Sequence, residues 1–197
     1  MSTVGEILVC CALCGRTSAQ TELCSYSTFN EPDLDFRPAP LLRHTMQHWI
    51  MVCPRCGYAA WNIGKWPRMM PETLRRIYES AEEGGMPALA YAFHKCALHC
   101  VHLGMIKDAI RAYLCAAWVC DDAEDGEHAV TMRKQCLALV QQRLRRWCRR
   151  AERRRYTQLM ADLLRRTEQI EPLLQIDETD RRLNAETRRI LACQKTL

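Results

Sequence analysis

The sequence predicts a mainly α-helical protein with a small β ribbon at its N-terminal end, and three observations carry that prediction. Two Cys-x-x-Cys-Gly turns, Cys11-Ala-Leu-Cys14-Gly15 and Cys53-Pro-Arg-Cys56-Gly57, lie in the first third of the chain. Ala, Leu, Glu and Arg abound, whereas 197 residues hold only eight Gly and three Phe, a balance that favours helix over sheet. From Pro71 onward apolar residues recur at helical spacing. A hydrophobic fraction of 48% with 26% charged residues excludes wholesale disorder. At this length folding buries roughly 70% of the unfolded surface, so a core forms without covalent staples.

Taken in order, residues 1–66 read as a ribbon domain with an inserted loop, and residues 67–197 as a helical domain. Asn30–Pro40, with Pro32, Pro38 and Pro40, reads as an extended connection. Thr45–Val52 alternates in bulk and runs into Cys53, which predicts a strand entering the second cysteine turn. Pro71 suits a first helical turn, and Gly84-Gly85 before Pro87 ends that helix. Helices are predicted from Ala88 to about Met105 and from Lys107 to about Cys120, with a turn over Asp121–Glu127. The stripe Leu137, Val140, Leu144, Cys148, Ala151 fails at Arg155, and a new one starts at Tyr156, Leu159, Met160, Leu163 and Leu164. A break between about Arg149 and Arg155 follows, and a last helix is expected over Asp180–Cys193.

Charge is unevenly spread. The net charge of +5 resolves into zero for residues 1–66, −2 for residues 67–142 and +7 for residues 143–197. The last quarter therefore attracts a polyanion or an acidic partner. Thirteen Cys cannot all pair within one chain, the first residues lack a basic export start, and no stretch approaches the ~20 apolar residues of a membrane span. A cytoplasmic protein with reduced thiols and no membrane partner is the expectation.

The two CxxCG turns are the strongest chemical signal. Each can point two thiolates at one cation while Gly takes an unusual backbone angle. Cys11, Cys14, Cys53 and Cys56 together make a tetrahedral four-sulfur set, so one structural Zn2+ is predicted. Iron is a rival, because rubredoxin-like ribbons use the same turns, and the lesser candidate of the two. Cys10 adjoins Cys11, but only Cys11 stands at the two-residue spacing to Cys14.

Gly104, followed by Ala109, Tyr113 and Ala116, lets a neighbouring helix pack closely, and this spacing resembles the second helix of a tetratricopeptide repeat. The helical part is accordingly expected to be a TPR-like antiparallel bundle. In His94-Lys-Cys96-Ala-Leu-His99-Cys100-Val-His102, the residues Cys96, His99 and Cys100 share a helix face. Small core thiols are the simpler reading there, with a second metal left open. His44 and His48 read as loop or strand residues.

Eight Arg fall between Arg143 and Arg155. Arg143, Arg146, Arg149, Arg150, Arg153 and Arg154 are the candidate contacts to a polyanion or an acidic protein. Only Trp147 and Tyr156 are interleaved, so stacking platforms for bases are not evident. The sequence carries no phosphate-binding Gly loop, nucleophile elbow, HExxH or paired-carboxylate motif. A closed four-thiolate site offers no open coordination position.

Several strings resemble an uncharacterised bacterial family, domain-of-unknown-function family 2225. They are Asp33-Leu-Asp-Phe-Arg-Pro-Ala-Pro, Arg43-His-Thr-Met-Gln-His-Trp, Cys53-Pro-Arg-Cys-Gly-Tyr-Ala-Ala, Ala116-Ala-Trp-Val-Cys-Asp-Asp and Ala161-Asp-Leu-Leu-Arg-Arg-Thr. The resemblance implies a zinc ribbon followed by tetratricopeptide-like helices, and it supplies no activity. Glu168 stands where the family's helix-ending Gly is usual, which leaves the turn there open, and the Arg run is denser than the family's. The expected function is a non-enzymatic zinc-binding adaptor that joins another protein through its helices. The alternative is a nucleic-acid binder using the Arg143–Arg155 face, with the ribbon as an accessory contact.

Overall fold

Strand β1 (Thr3–Cys10) pairs antiparallel with β2 (Thr17–Ser25), from Cys10 opposite Thr17 to Thr3 opposite Ser25. The computed structural model describes residues 2–27, 29–65, 69–79, 81, 84–146, 148–176 and 183–196. Exposure alternates along β1, as a strand's two-residue period requires, and Ile7 and Val9 turn towards the interior. A second, much shorter pair joins β3 (Met51–Val52) to β4 (Ala59–Ala60). Each pair ends in one of the two cysteine turns.

The predicted strand over Thr45–Val52 shrinks to its last two residues. Ahead of it stand helix α1 (Pro40–Arg43) and a 3-10 turn (Met46–His48). Local hydrogen bonds account for this. Thr45 Oγ1 donates to the Leu42 carbonyl at 2.7 Å and accepts from Trp49 Nε1 at 2.9 Å, which coils the segment before it can extend.

The helices follow: α2 (Pro71–Glu79), α3 (Ala88–His102), α4 (Ile106–Asp122), α5 (Gly126–Arg145), α6 (Arg150–Arg166), α7 (Ile170–Leu174) and α8 (Ala185–Thr196). Short turns make α3 to α6 pack as successive neighbours. Their seam is built from small residues. Ala90, Ala97, Ala109, Ala112, Ala116 and Cys136 are fully buried, with Phe93 and Met132 filling the larger gaps. A mainly α fold with a small β ribbon is thus what the chain adopts.

Three helix ends use one device. At Gly104, Glu124 and Glu168 the backbone turns left-handed (φ 69°, 58° and 59°), and the next amide reaches back to Cys100, Cys120 and Leu164 respectively. The turn near residue 168 therefore forms with Glu in place of Gly.

The break in the long helical text falls earlier than the apolar stripe suggests, at residues 146–149 rather than between Arg149 and Arg155. Arg146 is extended, Cys148 is buried within the corner, and Ala151 is exposed. Arg143 pairs with Glu152 at 2.8 Å, and Arg153 donates to the Leu144 carbonyl at 3.0 Å, so the arginines themselves pin the corner. Helix α7 has no counterpart in the sequence reading, and α8 starts at Ala185. Asp180, Trp147 and the residue 66/67 boundary lie outside the described residues. No helix among the described residues is long and apolar enough to cross a membrane.

Two apolar clusters meet where ribbon and helices touch. Ile63, Met51, Tyr58 and Leu74 pack around the cysteine turns, with Ile77 and Tyr78 of α2 at their side. Ile50 and Ala59 instead join the large cluster of α3 to α8.

Candidate metal centre and neighbouring groove

The two cysteine turns are built alike. In the first, the Gly15 amide donates to the Cys11 carbonyl at 2.8 Å and the Cys11 amide to Arg16 at 2.9 Å. In the second, the Gly57 amide donates to Cys53 and the Cys53 amide to Tyr58, both at 2.9 Å. Gly15 and Gly57 share φ 70°, which a side chain would strain.

These turns bring Cys11, Cys14, Cys53 and Cys56 together, with all four sulfurs within 4.8 Å of one another. Cys11 Sγ lies 3.7 Å from Cys56 Sγ, and Cys14 Sγ lies 3.6 Å from Cys53 Sγ. Metal–sulfur bonds of about 2.3 Å at tetrahedral angles place neighbouring sulfurs about 3.8 Å apart, so the four thiols have room for one ion at their centre. Cys10 stays outside the cluster, exposed, with its sulfur 3.5 Å from the Gly15 carbonyl.

Electrostatics favour a cation there. Burial opposes ionisation of Cys53, yet amide hydrogen bonds from Cys56 and Arg55 bring it down to about 7. Burial and the neighbouring sulfurs push Cys56 well above its ordinary value, and burial raises Cys11. Once one thiolate forms, the rest resist ionisation unless a positive ion sits among them.

A second group of donors converges on α3. Cys96, His99 and Cys100 are all buried and offer ligand atoms within 4.8 Å of one another. His94 and His102 do not join it: His94 stacks near Tyr113 at 5.9 Å, and His102 faces solvent. His44 is exposed, and His48 Nδ1 lies 2.8 Å from Thr21 Oγ1.

The Arg run does not form one face. Arg145, Arg146, Arg149, Arg150 and Arg155 are exposed, while Arg143, Arg153 and Arg154 are half-buried. Tyr156, one of its two aromatics, is buried. Arg149 and Arg155 border a groove of about 1000 Å³ between β2, the loop after it, α4 and α6. Arg146 borders a separate small hollow with Lys107 and Arg143.

Aromatic rings line the groove, and two guanidiniums lie on them: Arg111 over Trp61 at 4.3 Å and Arg155 over Phe36 at 4.7 Å. Neither arginine has a carboxylate within ion-pair distance among the described residues.

The segment carrying Phe36 is tied down by polar groups that sequence reasoning missed. Buried Asp35 accepts from Trp118 Nε1 at 2.7 Å and from the Arg37 amide at 3.1 Å. Arg37 pairs with Asp122, and Arg133 with Asp121. Asp162, fully buried, accepts from Arg165 at 2.9 Å and Arg166 at 3.0 Å. Within the turn the sequence predicts, Asp122 thus anchors the distant loop to the bundle, while Asp121 ties α4 to α5. The chain matches no family model, no curated protein and no solved structure.

Proposed function

We propose that this chain is a zinc-stapled adaptor that binds an acidic segment of another protein and performs no catalysis itself. The observation that carries the reading is the groove beside Trp61 and Phe36, where two guanidiniums with no ion pair among the described residues stack on aromatic rings. Rings give an apolar side chain a surface to bury, and stacked arginines offer forked donors to a carboxylate. The zinc, held by Cys11, Cys14, Cys53 and Cys56, fixes the ribbon whose Trp61 forms one wall. A closed tetrahedron of four thiolates suits zinc and also accommodates iron, and element analysis separates the two.

The thirteen cysteines are all free, which supports a reducing, cytoplasmic setting. Packing of α3 to α6 through small residues supports the tetratricopeptide-like reading, and with the ribbon it supports kinship to family 2225. The divided Arg run weakens the nucleic-acid alternative, since only part of it is free to meet phosphates.

The test is capture from the native host by the metal-loaded chain, with photo-crosslinkers placed at Leu42 and Leu114 on the groove. A protein should crosslink there through an acidic segment, and Arg111→Glu/Arg155→Glu should abolish capture while leaving metal content unchanged. Crosslinking that survives this variant rejects the adaptor reading. Salt-sensitive binding to DNA or RNA, lost in Arg146→Glu/Arg150→Glu, would put the alternative in its place.

A further inference from the structure

We propose that α3 carries a second zinc centre, with Cys96, His99 and Cys100 as its protein ligands. The helical period sets three donors side by side, since residues i, i+3 and i+4 share one face. What separates this trio from ordinary core cysteines is His99. Cys115 and Cys136 are equally buried but join no such group, since among the described residues only the two groups above gather three ligand atoms. An imidazole that is 4% exposed needs partners for both ring nitrogens.

The bonds around Tyr78 set the tautomer of His99, whose other side hydrogen-bonds with the Cys100 thiol. Tyr78 Oη lies 3.3 Å from the Ala59 amide nitrogen, 3.4 Å from the Ala59 carbonyl and 3.3 Å from His99 Nδ1. A phenol has one proton, and the carbonyl can only accept. With that proton on the carbonyl, the phenol oxygen accepts from the amide and from Nδ1–H. His99 then keeps its lone pair on Nε2, the neutral form that binds metal, with Tyr78 as the outer partner that orients the ring.

The surroundings fit the same assignment. The Trp61 amide hydrogen-bonds to Cys96, as amides do to metal-bound thiolates, and the Tyr58 ring packs 5.7 Å from the His99 ring. Charge selects the ion. Two thiols lose their protons as Zn2+ enters, and two thiolates with a neutral imidazole make the buried centre neutral. A monovalent ion would leave a net negative charge in the interior. Water completes the tetrahedron. The centre lies where β4 and α2 meet α3, so it clamps the ribbon to the bundle rather than holding the ribbon's own hairpins together.

The experiment uses the full chain, stripped of metal and reloaded with Zn2+ or Co2+ alone. Element analysis should find two ions per chain. Proton NMR of the Co2+ form should show a hyperfine-shifted, exchangeable imidazole N–H, which a four-cysteine site cannot produce. Cys96→Ala/Cys100→Ala should retain one ion and lose that resonance. A single ion that survives Cys96→Ala/Cys100→Ala overturns the proposal, as does a second ion that survives the same double substitution. Cys11→Ala/Cys14→Ala tests the ribbon site separately. If it leaves the ion count unchanged while Cys96→Ala/Cys100→Ala lowers it, the ribbon assignment fails and the α3 centre stands.

Discussion

The ribbon cysteines and the helix-seam cysteines are the same side chain in two different physical settings. In the ribbon, amides and left-handed glycines aim Cys53 and its partners at a common point, and Cys53 sits at about 7. In the seam, Cys115 is surrounded by apolar atoms, and burial pushes its thiol up to about 12. The ribbon set is arranged for a cation, whereas Cys115, which lies outside the α3 trio, behaves as a small apolar residue. The contrast shows why the two parts cohere differently. The ribbon has a small core, so an ion held by its four sulfurs would supply much of its stability, whereas the helices bury enough surface to stand on packing.

Removing the metal should break that comparison most visibly, because a structural zinc contributes on the order of 10 kcal/mol of folding free energy. Chelation should abolish amide-exchange protection over residues 3–63 while most far-UV helical signal remains. Equal protection with and without metal would show that the ribbon holds by packing alone.

A smaller effect is expected from the polar ties of the bundle. Asp162→Ala leaves Arg165 and Arg166 facing an empty, buried position and should cost about 3 kcal/mol in urea unfolding. Metal content should not change. A cost below that of an ordinary surface substitution would mean that Asp35 and Asp121, each 3.9 Å from Arg166, already compensate its charge.

Overpacking tests the seam. Ala116 is fully buried between helices, so Ala116→Leu should cost about 1–3 kcal/mol by the same measurement. Neutral behaviour would show that α3, α4 and α5 are not closely fitted.

The smallest effect is at the arginine corner. Glu152 receives Lys107 at 3.0 Å and Arg143 at 2.8 Å, and these cations hold its carboxyl below the ordinary value of 4.5. A lowered pKa contributes stability above the unfolded value and loses it as pH falls through the folded one. Glu152→Gln should therefore cost about 0.5–1 kcal/mol at pH 7, with the difference fading below pH 4.5. A difference that persists into acid would assign the role to packing.

Both cysteine turns were legible because each is specified within six residues by spacing and a single glycine. The helical hairpin around Ala109, Tyr113 and Ala116 was legible for the same reason, since its period is local. The site of the break was not. Leu144, Cys148 and Ala151 keep the stripe's spacing, but the bonds from Arg143 and Arg153 across the corner end the helix sooner. Thr45–Val52 misled in the other direction, because side-chain bonds from Thr45 outweighed the alternation of bulk.

By itself the sequence determined which residues can ligate and which stretches can coil, since both are set by chain geometry over a few residues. Tertiary structure alone decided that Asp35 meets Trp118, that Arg111 and Arg155 stack on rings beside one groove, and that Tyr78 reaches His99. The first and last of those meetings join residues 83 and 21 positions apart. Such contacts depend on how the whole chain closes on itself, and no local pattern of spacing records them.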